Sequence, residues 1–557
     1  MAASLDSNFS YPLSLTEDRK PKVQILAEYP NAVKDTSRLG FGEADPDALK
    51  VKHQDQLERI KKAAMRAFLG IQLAFGLFII GLATSTLIPV IFSAVMGAFV
   101  LVKEGLTILR VYLEKKDEAP STHSLNLNAK RYGAPELNTI SHEHSVMISE
   151  HGQESMEWKI DLLRKAKQSI ELSGNFCGGL TFRRGLANIR LAMQENTILK
   201  TRILLSPDFL YDEDLECLKT LKTEFGDRFN FLISDRKLEF SKRCQSVENH
   251  VKLLIIDEKY FMAGGTGLQE SFNNKADGSD VIQDRKRNFA EKFLAKLWRD
   301  KDMLSRGPLA KTLRLEFFKL YAKWEYKMGV TNELVNHYQP IDPFAPKAYV
   351  NFFEADPRKI DHVSIQAVVG SPSSSDNNIT KEYCKLLKNT KEGEKVYISN
   401  MLFNPCPELY KAISEALDRG VKIDVITNGM QKQSSASNHL FCWPHRLMYY
   451  PLMKHAKKNN LRIFEFGVPD AKYHDKTFTV GNTVCFSSYN FGRKSHYADD
   501  ELSLLVHSPD IVKTVSKMNE KNMGLSVQIT KQQAKNWQGI RGLLGRIENL
   551  ISSNYWG

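Results

Sequence analysis

Residues 250–257 read HVKLLIID and give the clearest indication of the fold. In an extended strand residues i and i+2 point to the same side, so His250 and Lys252 are predicted to lie next to each other. An imidazole that attacks phosphorus and an ammonium that holds its oxygens would then share one face. A run of small residues, GGTG, follows at 264–267. Such a turn allows close approach to a phosphate, so Gly265 and Thr266 are predicted phosphate contacts.

A second, partial copy of this motif reads HDKTFTVG and occupies residues 474–481. His474 and Lys476 repeat the spacing, and a β-rich run again leads into a small-residue turn, SSYN at 487–490. Two copies in matching contexts favour one phosphodiester-cleaving site at which two such pairs meet. Ser488 and Asn490 are the predicted phosphate contacts of the second copy.

The order of elements around the two motifs is also repeated, with an offset of about 224 residues, the difference between 474 and 250. The predicted helices are 158–167, 182–195, 381–387 and 408–419, and the predicted strands are 169–173, 201–205, 395–399 and 421–426. Gly420 is a normal C-terminal stop for the fourth helix. Strand–helix–strand alternation predicts an α/β sheet in each half.

These motifs resemble the phospholipase D superfamily in its two-repeat form and, within it, the bacterial cardiolipin synthases. The resemblance covers roughly residues 155–515 and extends to WRD at 298–300, RGPLA at 306–310, DRGVKI at 418–423, Arg493 and Ser495. It implies an α/β fold of two phospholipase D-like repeats. These would pack as a pseudo-twofold globule, with sheets flanked by helices and one shared site.

The resemblance also implies a mechanism through a covalent phosphohistidine, with no cofactor and no metal. His250 is assigned as nucleophile and His474 as general acid and base, and the assignment is reversible. The two motif lysines with Ser488 and Asn490 would neutralise the non-bridging oxygens.

Three carboxylates complete the predicted site. Asp257 belongs to the first motif. In the family, a carboxylate downstream of each motif orients the histidine, since an imidazole needs a partner on its other nitrogen. By matching position, Asp300 is assigned to the first repeat and Glu501 to the second.

Two departures from the family pattern bear on activity. Gly481 stands where the second motif aspartate is expected, and the following residues indicate a one-residue deletion. Gly267 stands where the family usually has asparagine, which removes one phosphate donor. A degenerate, non-catalytic descendant therefore remains an alternative.

Length, charge and cysteine content set broader limits. The chain has 557 residues, enough for two repeats of about 180 residues each. A net charge of +12 favours anionic partners, either phospholipid headgroups or nucleic acid. The seven cysteines show neither metal spacing nor a disulfide framework, which indicates a reducing compartment for the catalytic part.

A long uncharged run precedes the repeats. Residues 67–102 contain no charged side chain, about 36 positions, which suits two short membrane helices better than one. Thr84, Thr86 and Pro89 mark a turn near the middle. Basic residues on both sides place both ends, and the catalytic domain, on the cytoplasmic face. Paired hydrophobic segments are usual in cardiolipin synthases. The hairpin also resembles chlamydial inclusion membrane proteins, so a bacterial inner membrane and a host-facing inclusion membrane both remain open.

The predicted organisation is therefore a series of seven segments. They are a polar head at 1–65, the membrane hairpin at 66–103, a helix end and linker at 104–154, repeat one at 155–335, a linker at 336–360, repeat two at 361–525 and an amphipathic C-terminal helix at 526–557. The helix is predicted from the spacing of its apolar residues, which are Trp537, Ile540, Leu544, Ile547 and Ile551. Packing on the catalytic body and lying on the bilayer are both open for it.

The predicted function is that of a membrane-anchored phospholipase D-type enzyme acting on phospholipid, as a hydrolase or as a phosphatidyltransferase. A membrane-tethered nuclease using the same histidines is an alternative. A non-enzymatic membrane scaffold or effector, whose polar head at 1–65 binds an unknown protein partner, is another.

Overall fold

The computed structural model describes residues 40–43, 57–58, 60–67, 104–105, 121–234, 247–280, 296–371, 377–429, 436–457 and 459–538. These residues all belong to one compact unit of mixed α/β architecture, in which helices flank a 15-stranded sheet.

Seventeen strands and eleven helices are named in chain order. The strands are β1 (Ile140–Ile148), β2 (Ser169–Gly174), β3 (Lys200–Leu205), β4 (Phe229–Ile233), β5 (Leu253–Ile256), β6 (Tyr260–Gly264), β7 (Leu297–Arg299), β8 (Asp302–Arg306), β9 (Ile360–Gly370), β10 (Lys395–Asn400), β11 (Lys422–Asn428), β12 (Leu461–Phe466), β13 (Ala471–Tyr473), β14 (Lys476–Val480), β15 (Thr483–Ser487), β16 (Glu501–His507) and β17 (Ser526–Gln528). The helices are α1 (Gly152–Lys165), α2 (Gly179–Glu195), α3 (Asp212–Phe225), α4 (Leu309–Lys327), α5 (Asn351–Glu354), α6 (Asn378–Lys388), α7 (Pro407–Asp418), α8 (Ala436–His455), α9 (Arg493–Tyr497), α10 (Pro509–Gly524) and α11 (Lys531–Asn536).

The strand order is the same in the two halves of the large sheet. At its centre β1 and β9 pair antiparallel. Outward from β1 the order is β8, β6, β5, β2, β3 and β4, and outward from β9 it is β16, β15, β14, β10, β11 and β12, with β17 added at the edge. The parallel pairs β2–β3 and β10–β11 are each joined by a helix, which confirms the predicted strand–helix–strand units.

In the described part of the chain, helices pack on the sheet and form three large apolar cores with it. In the first half, residues of α1, α2 and α3 pack on β2 and β3, and in the second half residues of α6, α7 and α8 pack on β10 and β11. Helix α4 is buried along almost its whole length. Its Leu313, Phe317 and Leu320 share one core with Ile255 of the first half and Phe486 of the second. This common core fixes the two motifs relative to each other.

The interpretation of residues 104–154 as a helix end and linker is wrong for its last part. Strand β1 lies within that range at the centre of the sheet. Its sequence is polar, and several of its polar groups have partners: His144 contacts Ser141 Oγ through Nε2 at 2.9 Å, and Ser145 Oγ donates to Asp361 at 2.5 Å. The buried Nδ1 of His144 has no partner among the described residues. Polar side chains with partners are compatible with a buried strand, which a hydrophobicity pattern does not show.

The two motif hairpins differ in length as the sequence indicates. In the first, Ile256 pairs with Tyr260 across a three-residue loop. In the second, Val480 pairs with Thr483 across a two-residue loop, which confirms the one-residue deletion. Gly481 has φ +55°, the left-handed region that a short hairpin turn requires at this position.

Asp257 lies at the opposite end of β5 from His250, and its carboxylate binds backbone N–H groups. The prediction that Asp257 belongs to the catalytic group is therefore corrected. Its carboxylate accepts from the N–H groups of Lys167, Gln168, Ser169 and Ala348 at 2.7–3.3 Å. At about 3.3 Å per strand residue, it stands far from the reacting groups. Asp257 therefore joins the start of β2, the β5 hairpin and the linker after α4.

Replacing Asp257 by asparagine should lower the free energy of unfolding by about 2 kcal/mol, because an amide nitrogen would face backbone donors that lose their acceptor. Asparagine tolerates the left-handed backbone of this position (φ +54°), so the variant tests the carboxylate alone. Denaturant unfolding is the measurement, and Asp227→Asn at an exposed turn is the matched control. Equal losses for the two variants would contradict the capping role.

The predicted membrane hairpin, residues 66–103, lies outside the described residues except for Arg66 and Ala67. Arg66 donates two hydrogen bonds of 3.0 Å to Glu104, which follows the run. Among the described residues, no helix combines the length and apolar character needed to cross a bilayer. The predicted C-terminal helix, 526–557, is described only to residue 538, where β17 and α11 replace a continuous helix.

Candidate functional site

The first motif is fixed to the second half of the chain by backbone hydrogen bonds. The N–H of His250 donates to the carbonyl of Asp500 at 3.1 Å, and the N–H of Asp500 donates to the carbonyl of Glu248 at 2.9 Å. The next residue after Asp500 is Glu501, the first of β16. As a result, His250 Nδ1 lies 3.0 and 3.1 Å from the two carboxylate oxygens of Glu501.

The second motif is fixed to the first half in the same way. Strand β13, which precedes His474, pairs parallel with β7, and the N–H of His474 donates to the carbonyl of Arg299 at 2.8 Å. The residue after Arg299 is Asp300. Its Oδ2 lies 2.6 Å from His474 Nδ1.

The histidine–carboxylate pairs are therefore crossed, and the predicted pairing within each repeat was wrong. Glu501 of the second half binds His250, and Asp300 of the first half binds His474. The cause is the backbone pairing, since each histidine lies beside the other half's segment just before its carboxylate. Positions along the sequence identify the four residues but contain no information about which half supplies each partner.

Phe176 brings the two motifs together. Its ring contacts His250 at 6.3 Å and His474 at 5.2 Å between centroids, edge-on in both cases. The Nζ of Lys252 lies 5.0 Å from the centre of the same ring. Trp298 and Phe272 contact the other faces of His474 at 4.8 and 5.2 Å. Both histidines are buried, and Phe176 contacts both of them, so the two motifs lie at one site.

The two lysines repeat each other's position, as the H-x-K spacing predicts. Lys252 Nζ donates to the carbonyl of His250 at 3.1 Å, and Lys476 Nζ donates to the carbonyl of His474 at 2.9 Å. Lys476 Nζ also lies 3.0 Å from His474 Nε2. Burial lowers the pKa of Lys252 to about 8 and that of Lys476 well below its ordinary value. A bound anion would reverse this effect, so the site favours an anionic ligand.

The pKa values of the two carboxylates are shifted in opposite directions. Burial raises the pKa of Glu501, but His250 and the hydroxyls of Ser488 and Ser495 outweigh burial and hold the pKa below its ordinary value. Burial raises the pKa of Asp300 well above its usual range, against the opposing charge of Lys476. Glu501 is therefore ionised at neutral pH, whereas Asp300 favours its protonated form.

The pKa values of both histidines are lowered. Burial lowers the pKa of His250 to about 4 and lowers the pKa of His474 well below its ordinary value, with Lys476 and Lys252 adding to the second effect. Both imidazoles are therefore neutral in the free protein at neutral pH.

Three of the predicted phosphate contacts have other partners. Ser488 Oγ donates its one hydrogen to Glu501, and Thr266 Oγ1 donates to Asp302, so neither hydroxyl has a hydrogen left for a phosphate. A Cβ on Gly265 would lie 2.3 Å from Asp300 Oδ2, so this glycine makes room for the carboxylate. In this structure all three residues have positioning roles, and their contact with a phosphate stays a prediction.

Asn490 remains as a predicted phosphate contact. Its backbone N–H donates to Ser495 Oγ at 3.1 Å, and Ser495 Oγ donates to Glu501 at 2.5 Å. Within the described part of the chain, its buried side-chain Oδ1 has no hydrogen-bond partner. Phosphate oxygens accept hydrogen bonds, so a phosphate would be bound by the Nδ2 hydrogens of this amide, whereas Oδ1 would accept from a donor such as a hydroxyl of the ligand.

Sequence reasoning missed two further acidic residues. Asp475, the middle residue of the second H-x-K, forms a buried ion pair with Lys301 and accepts from Ser399 Oγ at 2.9 Å. Asp499 lies with His250 and Glu501 in one buried group, and burial raises its pKa well above the usual range. The available signal for Asp475 was its place between His474 and Lys476 in the second motif.

Within the ranges that the structure describes, two groups of side chains have metal-compatible donors. They are His250, Asp499 and Glu501, and separately Cys406, Glu408 and His496. In the first group the imidazole and Glu501 already bind each other, and Asp499 lies 3.6 Å from Lys494. The expectation that the site needs no metal stays a prediction.

Gly267, the departure from the family asparagine, has a steric cause. A Cβ at this position would lie 1.7 Å from the carbonyl oxygen of Phe176 and 2.8 Å from Phe176 Cβ. The two backbones also join at the neighbouring residues, where the N–H of Gly178 donates to the carbonyl of Leu268 at 3.0 Å. A side chain at this position therefore requires the Phe176 loop to move.

Restoring the family residue with Gly267→Asn should lower the free energy of unfolding by about 2 kcal/mol, because the Phe176 loop must move. Gly524→Asn is the matched control, since an added Cβ there meets no atom within 4 Å. Denaturant unfolding of both variants is the measurement. A Gly267→Asn protein as stable as the wild type would show that the contact is not restrictive.

This chain is similar to known proteins both in sequence and in structure. A family model described as "Cardiolipin synthase, PLD-like domain" matches residues 383–522. A cardiolipin synthase of Clostridium perfringens is 21% identical over 334 residues, which are 58% of this chain and 60% of the relative. The chain thus spans less than two thirds of the length of that curated relative.

Among solved structures, the phosphatidylserine synthase of Haemophilus influenzae Rd KW20 is similar over 73% of this chain and 95% of its own. The TM-score is 0.51 and the sequence identity 15%. At this identity the likeness concerns the fold.

Proposed function

We propose, from the premise that this chain is a phospholipase D superfamily member resembling cardiolipin synthase, that it transfers phosphatidyl groups of phospholipids through a covalent phosphohistidine. The acceptor is an alcohol, as in a phosphatidyltransferase, or water, as in a hydrolase. The observation that supports this proposal most strongly is the pair of crossed, buried histidine–carboxylate contacts, each next to a lysine.

The charge difference between the carboxylates supports His250 as the nucleophile. An ionised Glu501 accepts from Nδ1–H of His250, which leaves the lone pair of Nε2 free to attack phosphorus. Glu501 then stabilises the positive charge that develops on the imidazole. Lys252, Lys476 and Asn490 bind the non-bridging oxygens.

The same difference supports His474 as the general acid and base. A protonated Asp300 donates to Nδ1, so the hydrogen of the neutral imidazole resides on Nε2, where the leaving oxygen takes it. The proton on Asp300 moves to Nδ1 as Nε2 loses its own. In the second step His474 Nε2 removes the proton of the acceptor hydroxyl, whose oxygen attacks phosphorus and releases His250.

Membrane attachment and domain division are further parts of the proposal. The ion pair between Arg66 and Glu104 supports a hairpin at 66–103, because it joins the two ends of the uncharged run. The matched strand order supports two repeats related by a pseudo-twofold axis. The catalytic body would lie on the cytoplasmic face, beside phospholipid headgroups.

Lipid mass spectrometry on the purified full-length protein tests the proposal. The protein is incubated with liposomes containing phosphatidylglycerol and phosphatidylethanolamine, beside a His250→Ala/His474→Ala double variant. Cardiolipin formed only with intact histidines supports a phosphatidyltransferase, and phosphatidic acid supports a hydrolase. No lipid turnover contradicts the proposal, and tight, salt-sensitive nucleic-acid binding would then favour the nuclease alternative.

A further inference from the structure

Phe176 occupies the space between the two motifs without belonging to either. It lies in the loop between β2 and α2 and is half-buried, whereas the surrounding Phe272 and Trp298 are fully buried. Its ring contacts both imidazoles, and its centre is 5.0 Å from Lys252 Nζ. No other aromatic ring of the described residues has a recorded contact with both histidines.

The loop that carries Phe176 is held in place from several sides. The carbonyl of Phe176 packs on Gly267, and Gly178 pairs with Gln269. The ring packs edge-on against Phe209 at 4.7 Å and Trp298 at 5.1 Å. The ring thus has a fixed place in the site, and the absence of a side chain at Gly267 makes that place available.

We propose that Phe176 determines which acceptor receives the phosphatidyl group, by keeping water from the phosphohistidine so that an organic alcohol is favoured. This inference rests on the proposed function. After the first step, the bond between phosphorus and His250 Nε2 breaks when an acceptor oxygen attacks, and His474 takes the acceptor's proton. Water and a lipid alcohol compete for this one step, and they yield phosphatidic acid and a phosphatidyl alcohol, respectively.

An apolar ring beside both histidines acts on this competition in two ways. It removes hydrogen-bonding partners that would hold a water molecule near His474. It also offers a surface that the carbon skeleton of a glycerol-bearing lipid can cover, whereas water gains nothing from that contact. The acceptor class is therefore an alcohol with carbon next to its hydroxyl, such as the glycerol headgroup of phosphatidylglycerol.

The test measures the ratio of phosphatidic acid to transfer product by mass spectrometry, on phosphatidylglycerol liposomes with full-length protein. Phe176→Ala should raise that ratio at least about fivefold, and Phe176→Leu, which keeps apolar volume, should give an intermediate ratio. Phe231→Ala, which removes another half-buried ring from the same core cluster, is the matched control and should leave the ratio unchanged.

A ratio that stays at the wild-type value in Phe176→Leu and Phe176→Ala, with turnover retained, overturns the inference while the proposed function stands. A shift of equal size in Phe231→Ala also overturns it, because the effect would then be structural. If Phe176→Ala does not fold, Phe176→Leu alone decides by the same criterion. Absence of any lipid product from the wild type contradicts the proposed function and the inference with it.

Discussion

A His250→Ala protein is expected to form no phosphoenzyme and to turn over phospholipid at least about 10⁴-fold more slowly than the wild-type chain. The reason is that the covalent route loses its nucleophile. A His474→Ala protein should lose about 10²- to 10⁴-fold with an alcohol leaving group, since general acid catalysis is lost. With p-nitrophenol as the leaving group that loss should nearly disappear from the first step, because p-nitrophenolate departs without a proton.

Rapid-quench detection of phosphoenzyme from a phosphatidyl p-nitrophenyl ester measures this difference. The His474→Ala protein should accumulate phosphoenzyme, since the second step lacks its base, and the His250→Ala protein should show none. His362→Ala, at a side chain that is 81% exposed, is the matched control and should behave as the wild type. Phosphoenzyme in His250→Ala but not in His474→Ala would reverse the two roles.

The sequence predicts which residues form the site better than it predicts which of them contact each other. The two H-x-K motifs identify all four motif side chains, and each lysine lies beside its own histidine, although residues 250–252 precede β5. Periodicity also locates β2, α2, β10 and α7 to within a few residues. These features depend on residues near one another in the chain, where local pattern carries the information.

What sequence reasoning missed depends on contacts between distant segments. The crossed pairing of Glu501 with His250 follows from a backbone contact between residues 250 and 500. The burial of β1 depends on polar partners such as Asp361, more than 200 positions away. The hydroxyls of Ser488 and Thr266 are of the right kind to bind phosphate, and only the geometry shows that carboxylates already take their hydrogens.

Glu501→Gln and Asp300→Asn should have unequal effects, although both replace the partner of a histidine by an amide. Glu501→Gln should lower kcat/KM by at least about 10³-fold, because a neutral amide neither fixes the tautomer of His250 nor stabilises its positive charge. Asp300→Asn should cost only about tenfold. Its amide N–H can donate to His474 Nδ1 as the protonated carboxyl does, and what is lost is the proton that follows.

The pH dependence distinguishes this explanation from a general disturbance of the site by the substitutions. Because burial raises the pKa of Asp300, wild-type activity should fall as pH rises through that raised pKa and Asp300 loses its proton. Asparagine does not titrate, so the alkaline fall should move to higher pH in Asp300→Asn. In Glu501→Gln it should persist, since Asp300 is intact. Measured kcat/KM from pH 5 to 10 gives both profiles, with Asp227→Asn at an exposed turn as the isosteric control. Equal losses for the two variants, or an unchanged alkaline fall in Asp300→Asn, would show that the two carboxylates hold the same charge.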